Sequence, residues 1–206
     1  MKRFFLAAVL LLVSLTVSAQ KFGITGGLTL SQLENIKESR NAEYNAGVAM
    51  NFPLVLGFSL QPEFVYNVKG ANLPGASDEK YSAGYGELGL QAQWGLDLIV
   101  AKPFVLVEPY VGAGLKGSIR QDGQTVKDNL WDFADRLECG IAVGGGIEIL
   151  YNLQISAKGF WTVGSLFNNE GNFNPDLGST ATGQLTDLVN GAGNFVGTTV
   201  SLTYFF

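Results

Sequence analysis

Gly57-Phe58-Ser59-Leu60-Gln61-Pro62-Glu63-Phe64-Val65-Tyr66-Asn67-Val68-Lys69 is the stretch on which the fold turns. Phe58, Leu60, Pro62, Phe64, Tyr66 and Val68 share one parity. Ser59, Gln61, Glu63, Asn67 and Lys69 share the other, with Val65 as the apolar exception. Successive side chains of a strand point to opposite faces, so this alternation marks a strand with one apolar and one polar face. The last residues repeat it: Val196, Thr198, Val200, Leu202, Tyr204 and Phe206 alternate with Gly197, Thr199, Ser201 and Thr203.

Outward from these two segments, the same period predicts eight strands, at about 21–30, 43–52, 57–69, 84–96, 104–117, 135–149, 152–164 and 194–206. The connections at 31–42, 70–83, 118–134 and 165–193 are long and polar, whereas 53–56, 97–103 and 150–151 are short. An even strand count, long loops on one rim and tight turns on the other describe an eight-stranded antiparallel transmembrane β-barrel of the up-and-down type, as found in bacterial outer membranes.

The assignment of faces follows from charge. The apolar phase includes Phe22, Ile24, Leu28 and Leu30, Tyr44 and Val48, Leu88 and Leu90, Val105 and Val107, Ile141 and Val143, Ile155 and Trp161, and no Asp, Glu, Lys or Arg. A Lys or Arg on a lipid-facing wall near the midplane costs about 2–4 kcal/mol. The other phase carries Lys21, Glu43, Glu63, Lys69, Glu87, Glu108, Lys116, Arg136, Glu138, Glu148 and Lys158 among Gly, Ser, Thr, Asn and Gln. A soluble ligand-binding barrel would be apolar inside, so the charged phase is placed inward. Eight strands leave an interior just wide enough for side chains to fill, and buried charges are tolerated when paired. The expectation is a structural salt-bridge network, with Gly47, Gly89, Gly112, Gly114, Gly140, Gly144 and Gly146 making room for the long chains opposite. Pro62 and Pro109 lack a ladder N–H, and bulges are expected there. Tyr44, Tyr66, Trp94, Trp161 and Tyr204 suit two interfacial aromatic girdles. Cys139 falls in the lipid-facing phase.

Residues 1–19 read as an address rather than a fold element. Lys2 and Arg3 precede an apolar run from Phe4 to Thr16, and Val17-Ser18-Ala19 closes it with small residues. This predicts a secretory signal peptide cleaved between Ala19 and Gln20, leaving residues 20–206 as one barrel domain. The run is shorter than the roughly 20 residues a spanning helix needs.

Composition narrows the chemistry. The 206 residues contain no His and one Cys, and the net charge is −5. Without His the usual general base and metal ligand are missing, and one thiol cannot build a disulfide or a Cys-rich zinc site. An acidic chain is a poor partner for nucleic acid. Gly112-x-Gly114-x-x-Gly117 fits a dinucleotide fingerprint only as letters, because it lies inside a strand and opens no helix. Ser165 and Ser179 have no histidine to activate them. Asn168, Asn169, Glu170, Asn172, Asn174 and Asp176 are oxygen ligands without the regular calcium-loop spacing. Leu130, Trp131 and Phe133 suit packing over the barrel mouth. No catalytic residue, cofactor or metal is expected.

Four segments resemble a known family in order along the chain. They are Leu60–Gly70, Pro109–Gly114, Ala142–Leu150 followed by Leu153–Lys158, and the C-terminal Tyr204-Phe205-Phe206. They resemble the PorT-like small outer-membrane β-barrels of Bacteroidetes. The resemblance implies an outer-membrane location and no common activity; its namesake is associated with protein export. The expectation is a non-enzymatic outer-membrane barrel with a structural or partner-binding role. Its alternatives are an accessory component of a secretion system and a narrow channel or solute-binding barrel. The expected contacts are outer-membrane lipid, the barrel-insertion machinery through the C-terminal aromatic strand, and a possible protein partner. The even strand count puts both termini on the periplasmic side.

Overall fold

A computed structural model describes residues 20–33, 41–72, 80–121, 124–127, 137–162 and 195–206. The strands are β1 (Lys21–Leu33), β2 (Asn41–Pro53), β3 (Phe58–Asn72), β4 (Lys80–Gly95), β5 (Ala101–Gln121), β6 (Gln124–Lys127), β7 (Leu137–Ile149), β8 (Leu153–Thr162) and β9 (Phe195–Phe205). Eight of them close a barrel in which every pairing is antiparallel: β1 joins β9, β4 joins β5, and β5 joins β7. The short β6 folds back on the end of β5, outside the closed ring. That segment falls within the stretch read from sequence as a loop. Strand β5 is also longer than its alternation indicated, because its start pairs with β7 from Ala101 and its end stays paired with β4 as far as Arg120. No helix among the described residues is long and apolar enough to cross a membrane, which says nothing of strands.

The two phases separate as the alternation required. Ile24, Leu28, Phe64, Leu88, Val105, Val111 and Leu202 are exposed on the outer wall. Thr29, Gln61, Lys69, Gln91, Gln154 and Thr203 are buried inside. Exposure therefore runs opposite to that of a water-soluble domain, the arrangement of a wall that faces hydrocarbon. Cys139 is exposed on that wall. Aromatic residues gather at two levels. Tyr44, Tyr66 and Trp161 lie toward the long loops, and Tyr44 and Tyr66 have ring centroids 6.2 Å apart. Phe22, Phe58, Trp94, Tyr204 and Phe206 lie toward the short turns, with Phe22 against Phe206 at 6.5 Å. Along β3, Phe58 and Tyr66 are separated by about 20 Å of height, at roughly 3.3 Å per residue and a tilt of about 40°. That is comparable with the apolar band of about 25 Å typical of such barrels.

Neither proline makes a bulge. At Pro62 the β2–β3 ladder is interrupted between the Ala49–Glu63 and Phe52–Leu60 pairs, and at Pro109 the β4–β5 ladder is interrupted between Gly89–Tyr110 and Ala92–Val107. Register is unchanged across both gaps, and each proline keeps its pairing on the other side, Pro62 with Leu90 and Pro109 with Ile141. The missing N–H is absorbed by leaving one ladder open, which costs less distortion than inserting a residue. The irregularity that does occur lies between Gly84 and Tyr85, opposite Leu115.

The short turns are tight and apolar. Leu56, Leu150 and Tyr151 have positive φ of 59°, 51° and 62°. Each is also well exposed, as are Val55, Ile99 and Val100 on the same rim. Gly57, with φ of 81°, is the one position there where the conformation is free of a Cβ penalty.

Candidate functional site

The inward phase converges on two carboxylate–lysine–carboxylate bridges. Toward the long loops, Lys69 on β3 reaches Glu87 on β4 at 2.8 Å and Glu138 on β7 at 2.6 Å. Nearer the middle, Lys158 on β8 bridges Glu63 on β3, at 3.4 Å, and Glu108 on β5. Each bridge crosses the lumen and ties strands far apart in sequence. The strands supply the side chains by parity alone; the stagger of the closed barrel brings them to one level.

Around the bridges the polar side chains form two chains of hydrogen bonds. Asn67 Nδ2 donates to both oxygens of Glu87, at 3.1 Å each. Thr29 donates to Asn67 Oδ1 at 2.7 Å, and Asn45 donates to Thr29 at 3.1 Å. Gln61 Nε2 donates to Glu63 at 2.8 Å, while Asn51 and Gln93 both donate to Gln61 Oε1 at 3.0 Å. Amide side chains thus flank both bridges, and Asn51, Gln61, Gln91 and Gln93 continue the polar lining toward the short turns.

Three rings enclose Lys69. The centroids of Tyr110, Phe160 and Tyr85 lie 4.9, 5.0 and 5.2 Å from its Nζ. Desolvated cation–π contacts of this kind stabilise a cation by about 2 kcal/mol or more. The glycines opposite are there for volume. A Cβ on Gly112 would lie 2.8 Å from Glu138 Oε1, and one on Gly89 would lie 2.5 Å from Glu108 Oε1. Gly140 and Gly146 make room for Tyr110 and Phe104 rather than for charged chains. The remaining space between the two bridges is a cavity of about 20 Å³ lined by Glu63, Lys69, Glu87, Glu108 and Lys158. It holds about one water molecule.

Of the residues that the alternation placed in the lumen, Glu63, Lys69, Glu87, Glu108, Glu138 and Lys158 come together. Glu148 pairs with Lys21 at the short-turn end, and Lys21 also donates to the Tyr151 carbonyl. Glu43 is half-buried at the long-loop end of β2, where Asn41 donates to it at 2.8 Å. Arg136 lies outside the described residues, as do Ala19, the signal segment 1–19 and the loop residues Leu130, Trp131, Phe133, Ser165, Asn168 and Ser179.

Lys116 departs from the expectation. An extra residue, Leu115, enters β5 opposite the Gly84–Tyr85 step, and pairing moves from Tyr85–Gly114 to Gly84–Lys116. The phase flips, and Lys116 is exposed rather than inward. The two bridges themselves hold four Glu and two Lys. Lys102, which the alternation left out, is half-buried and pairs with Asp97 at 3.5 Å. The rings of Tyr85 and Tyr110 were also missed as part of the site. Their signal was available: both fall in the polar phase of their strands. Among the described residues no three acid or thiol side chains converge as a metal site.

A closed ring of eight antiparallel strands, apolar outside and ion-paired inside, defines a small transmembrane β-barrel. The family described as "outer membrane protein beta-barrel domain" matches residues 18–168. The chain belongs to that family, which places it in the outer membrane of a Gram-negative bacterium. Among solved structures it is similar to the Neisserial surface protein A, with a TM-score of 0.46, 9% identity, and coverage of 92% of this chain and 98% of that one. It is also similar to Ail, the attachment invasion locus protein of Yersinia pestis, with a TM-score of 0.45, 13% identity, and coverage of 91% and 97%. The outer membrane enzyme PagL gives a TM-score of 0.40, 12% identity, and coverage of 90% and 99%. A comparison with curated proteins returns no match.

Proposed function

We propose that this chain is a non-enzymatic outer-membrane barrel with a structural or partner-binding role and a lumen that does not conduct. The observation that carries the reading is the filled interior. Two ion-paired bridges, their amide neighbours and three rings leave a cavity of only about 20 Å³ among the described residues. Such a plug ties strands together across the barrel and supports stability; it leaves no continuous water column for ions. In this reading the leader ends at Ala19, the mature chain starts at Gln20, and the short-turn rim with both termini faces the periplasm. The inward charges are then structural, and lipid is the main contact of the outer wall. The aromatic C-terminal strand is the signal for the insertion machinery.

The test is reconstitution of the purified barrel in planar bilayers. The expected outcome is no unitary conductance steps. Discrete steps that change when Lys158 is replaced by Met would overturn the closed-lumen reading and favour a narrow channel.

A second reading, an accessory role in protein export as in the PorT-like barrels, is favoured by the short-turn rim. Leu56 is 86% exposed and Ile99 is 92% exposed, on turns where polar residues would dissolve more readily. Left-handed φ at Leu56, Leu150 and Tyr151 costs about 1–2 kcal/mol per residue, and Asn or Gly would avoid it. A rim that keeps large apolar residues in strained turns is suited to contact with another protein. Cross-linking in native membranes followed by mild extraction separates the two. A discrete complex lost on Leu56→Asn and Ile99→Asn supports the export reading. A lone barrel leaves the structural one.

A further inference from the structure

We infer that the barrel wall carries a lateral cleft, between β2 and the β3–β5 sheet, that binds a phosphate group. The inference does not depend on the lumen or on the role proposed above. Pairing between β2 and β3 ends at Asn45–Asn67, whereas β3 stays paired with β4 as far as Asn72–Lys80. Above that point β3 turns inward and fastens to β1 instead. Gly70 N–H donates to Ser31 Oγ at 2.8 Å, and Ser31 Oγ donates to the Gly70 carbonyl at 2.8 Å. The wall parts, and a cavity of about 210 Å³ opens there, lined by Glu43, Tyr44, Tyr66, Val68, Ser82, Gly84, Lys116 and Ser118. That is room for many waters, against the 10–15 Å³ that one requires.

The bulge is what furnishes the cleft. In uninterrupted alternation Lys116 would face the lumen; the inserted Leu115 turns it outward, into the same row as Gly84 and Val68, with Ser118 beside Ser82 in the next. Bulges commonly re-aim a side chain next to a functional site. No acid pairs with Lys116 among the described residues, whereas Lys21, Lys69, Lys102 and Lys158 are each paired. Nor do the hydroxyls of Ser82, Ser118, Tyr44 and Tyr66 have a hydrogen-bond partner among them. An ammonium and four uncommitted hydroxyl donors facing one space are the complement of an oxyanion with several acceptor oxygens. Gly84 makes room for Tyr66, whose hydroxyl sits where a Cβ would be and is thereby held at the cleft. Glu43 stands on the opposite wall and is already engaged by Asn41; its charge confines an anion to the Lys116 side. Tyr44 and Tyr66 belong to the aromatic belt nearer the long loops, so the cleft opens at headgroup level. A phosphate there comes either from a lipid headgroup or from free phosphate in the adjoining water.

The full barrel, purified in a maltoside detergent, is titrated calorimetrically with dihexanoyl phosphatidic acid, dihexanoylglycerol and inorganic phosphate. Binding of the phosphatidic acid, weakened about tenfold by Lys116→Ala and largely restored by Lys116→Arg, is expected, corresponding to one charge-assisted contact. Glu43→Gln is expected to tighten it a few-fold, an effect that general detergent partition would not produce. Phosphatidic acid binding much tighter than inorganic phosphate assigns a lipid source; equal affinities assign free phosphate. Equal binding by wild type and Lys116→Ala, or equal binding of the neutral glycerolipid, overturns the proposal. Heat-modifiable gel mobility confirms that each variant is folded.

Discussion

The bridges centred on Lys69 and Lys158 contain the same chemical groups and differ in how tightly the ammonium and one acid are enclosed. Lys69 and Glu138 are sealed, with side-chain exposures of 1% and 0%, and three aromatic faces close around the ammonium. Lys158 is 13% exposed, has no ring around its ammonium among the described residues, and borders the small cavity with both of its acids, whereas Lys69 and Glu87 reach that cavity and Glu138 does not. Glu63 has a further donor in Gln61. An ion pair is therefore not a unit with a fixed worth. Where water is shut out, each charge depends wholly on its protein partner. Where a water fits, or an amide stands by, the loss of a partner is cushioned.

That contrast is breakable. Lys69→Met leaves Glu138 sealed without a counter-charge and Glu87 with only Asn67 as donor, and the unfolding free energy in detergent or lipid is expected to fall by about 3–5 kcal/mol. Equal losses for Lys69→Met and Lys158→Met would show that enclosure does not matter. For Lys158→Met a loss of about 2 kcal/mol is expected, the scale of a hydrogen bond to a charged group, because Gln61 and a water can still serve Glu63. Gly112→Ala and Gly89→Ala sharpen the comparison at lower cost. Each presses a methyl on a carboxylate, Glu138 or Glu108, and overpacking of this size costs about 1–3 kcal/mol. Gly112→Ala is expected at the upper end, since Glu138 Cγ also lies 2.9 Å from the new Cβ and its carboxylate is held by Lys69, while Glu108 has the cavity to move into. Urea titration followed by tryptophan fluorescence reads all four variants on one scale.

The two rims differ as much as the two bridges. At the short-turn rim the hairpins are regular and the strain is local, confined to Leu56, Leu150 and Tyr151. Toward the long loops the strain is topological: β3 abandons β2 and β5 takes in an extra residue. The prolines belong to neither case. Their expected bulges are absent because a closed barrel has a cheaper remedy, two unpaired steps in one ladder while the strand's other side still holds.

Fold and faces were legible in the sequence because strand parity is a local property. Phe64 faces lipid and Glu63 faces the lumen for a reason contained in two adjacent residues, the alternation of successive Cβ atoms. The exclusion of charge from one phase, the count of strands and the position of Cys139 follow from the same rule. What only the tertiary structure decided depends on residues far apart in the chain. Parity puts Lys69 inside but does not say that its acids are Glu87 and Glu138, because partners are set by the stagger of strands around a closed ring. Nor does parity survive an insertion: one extra residue at Leu115 sends Lys116 to the outer wall, and its cause lies in the pairing of β5 with β4, not in β5 itself. The faces of this barrel are properties of its strands, and its bridges, plug and cleft are properties of its closure.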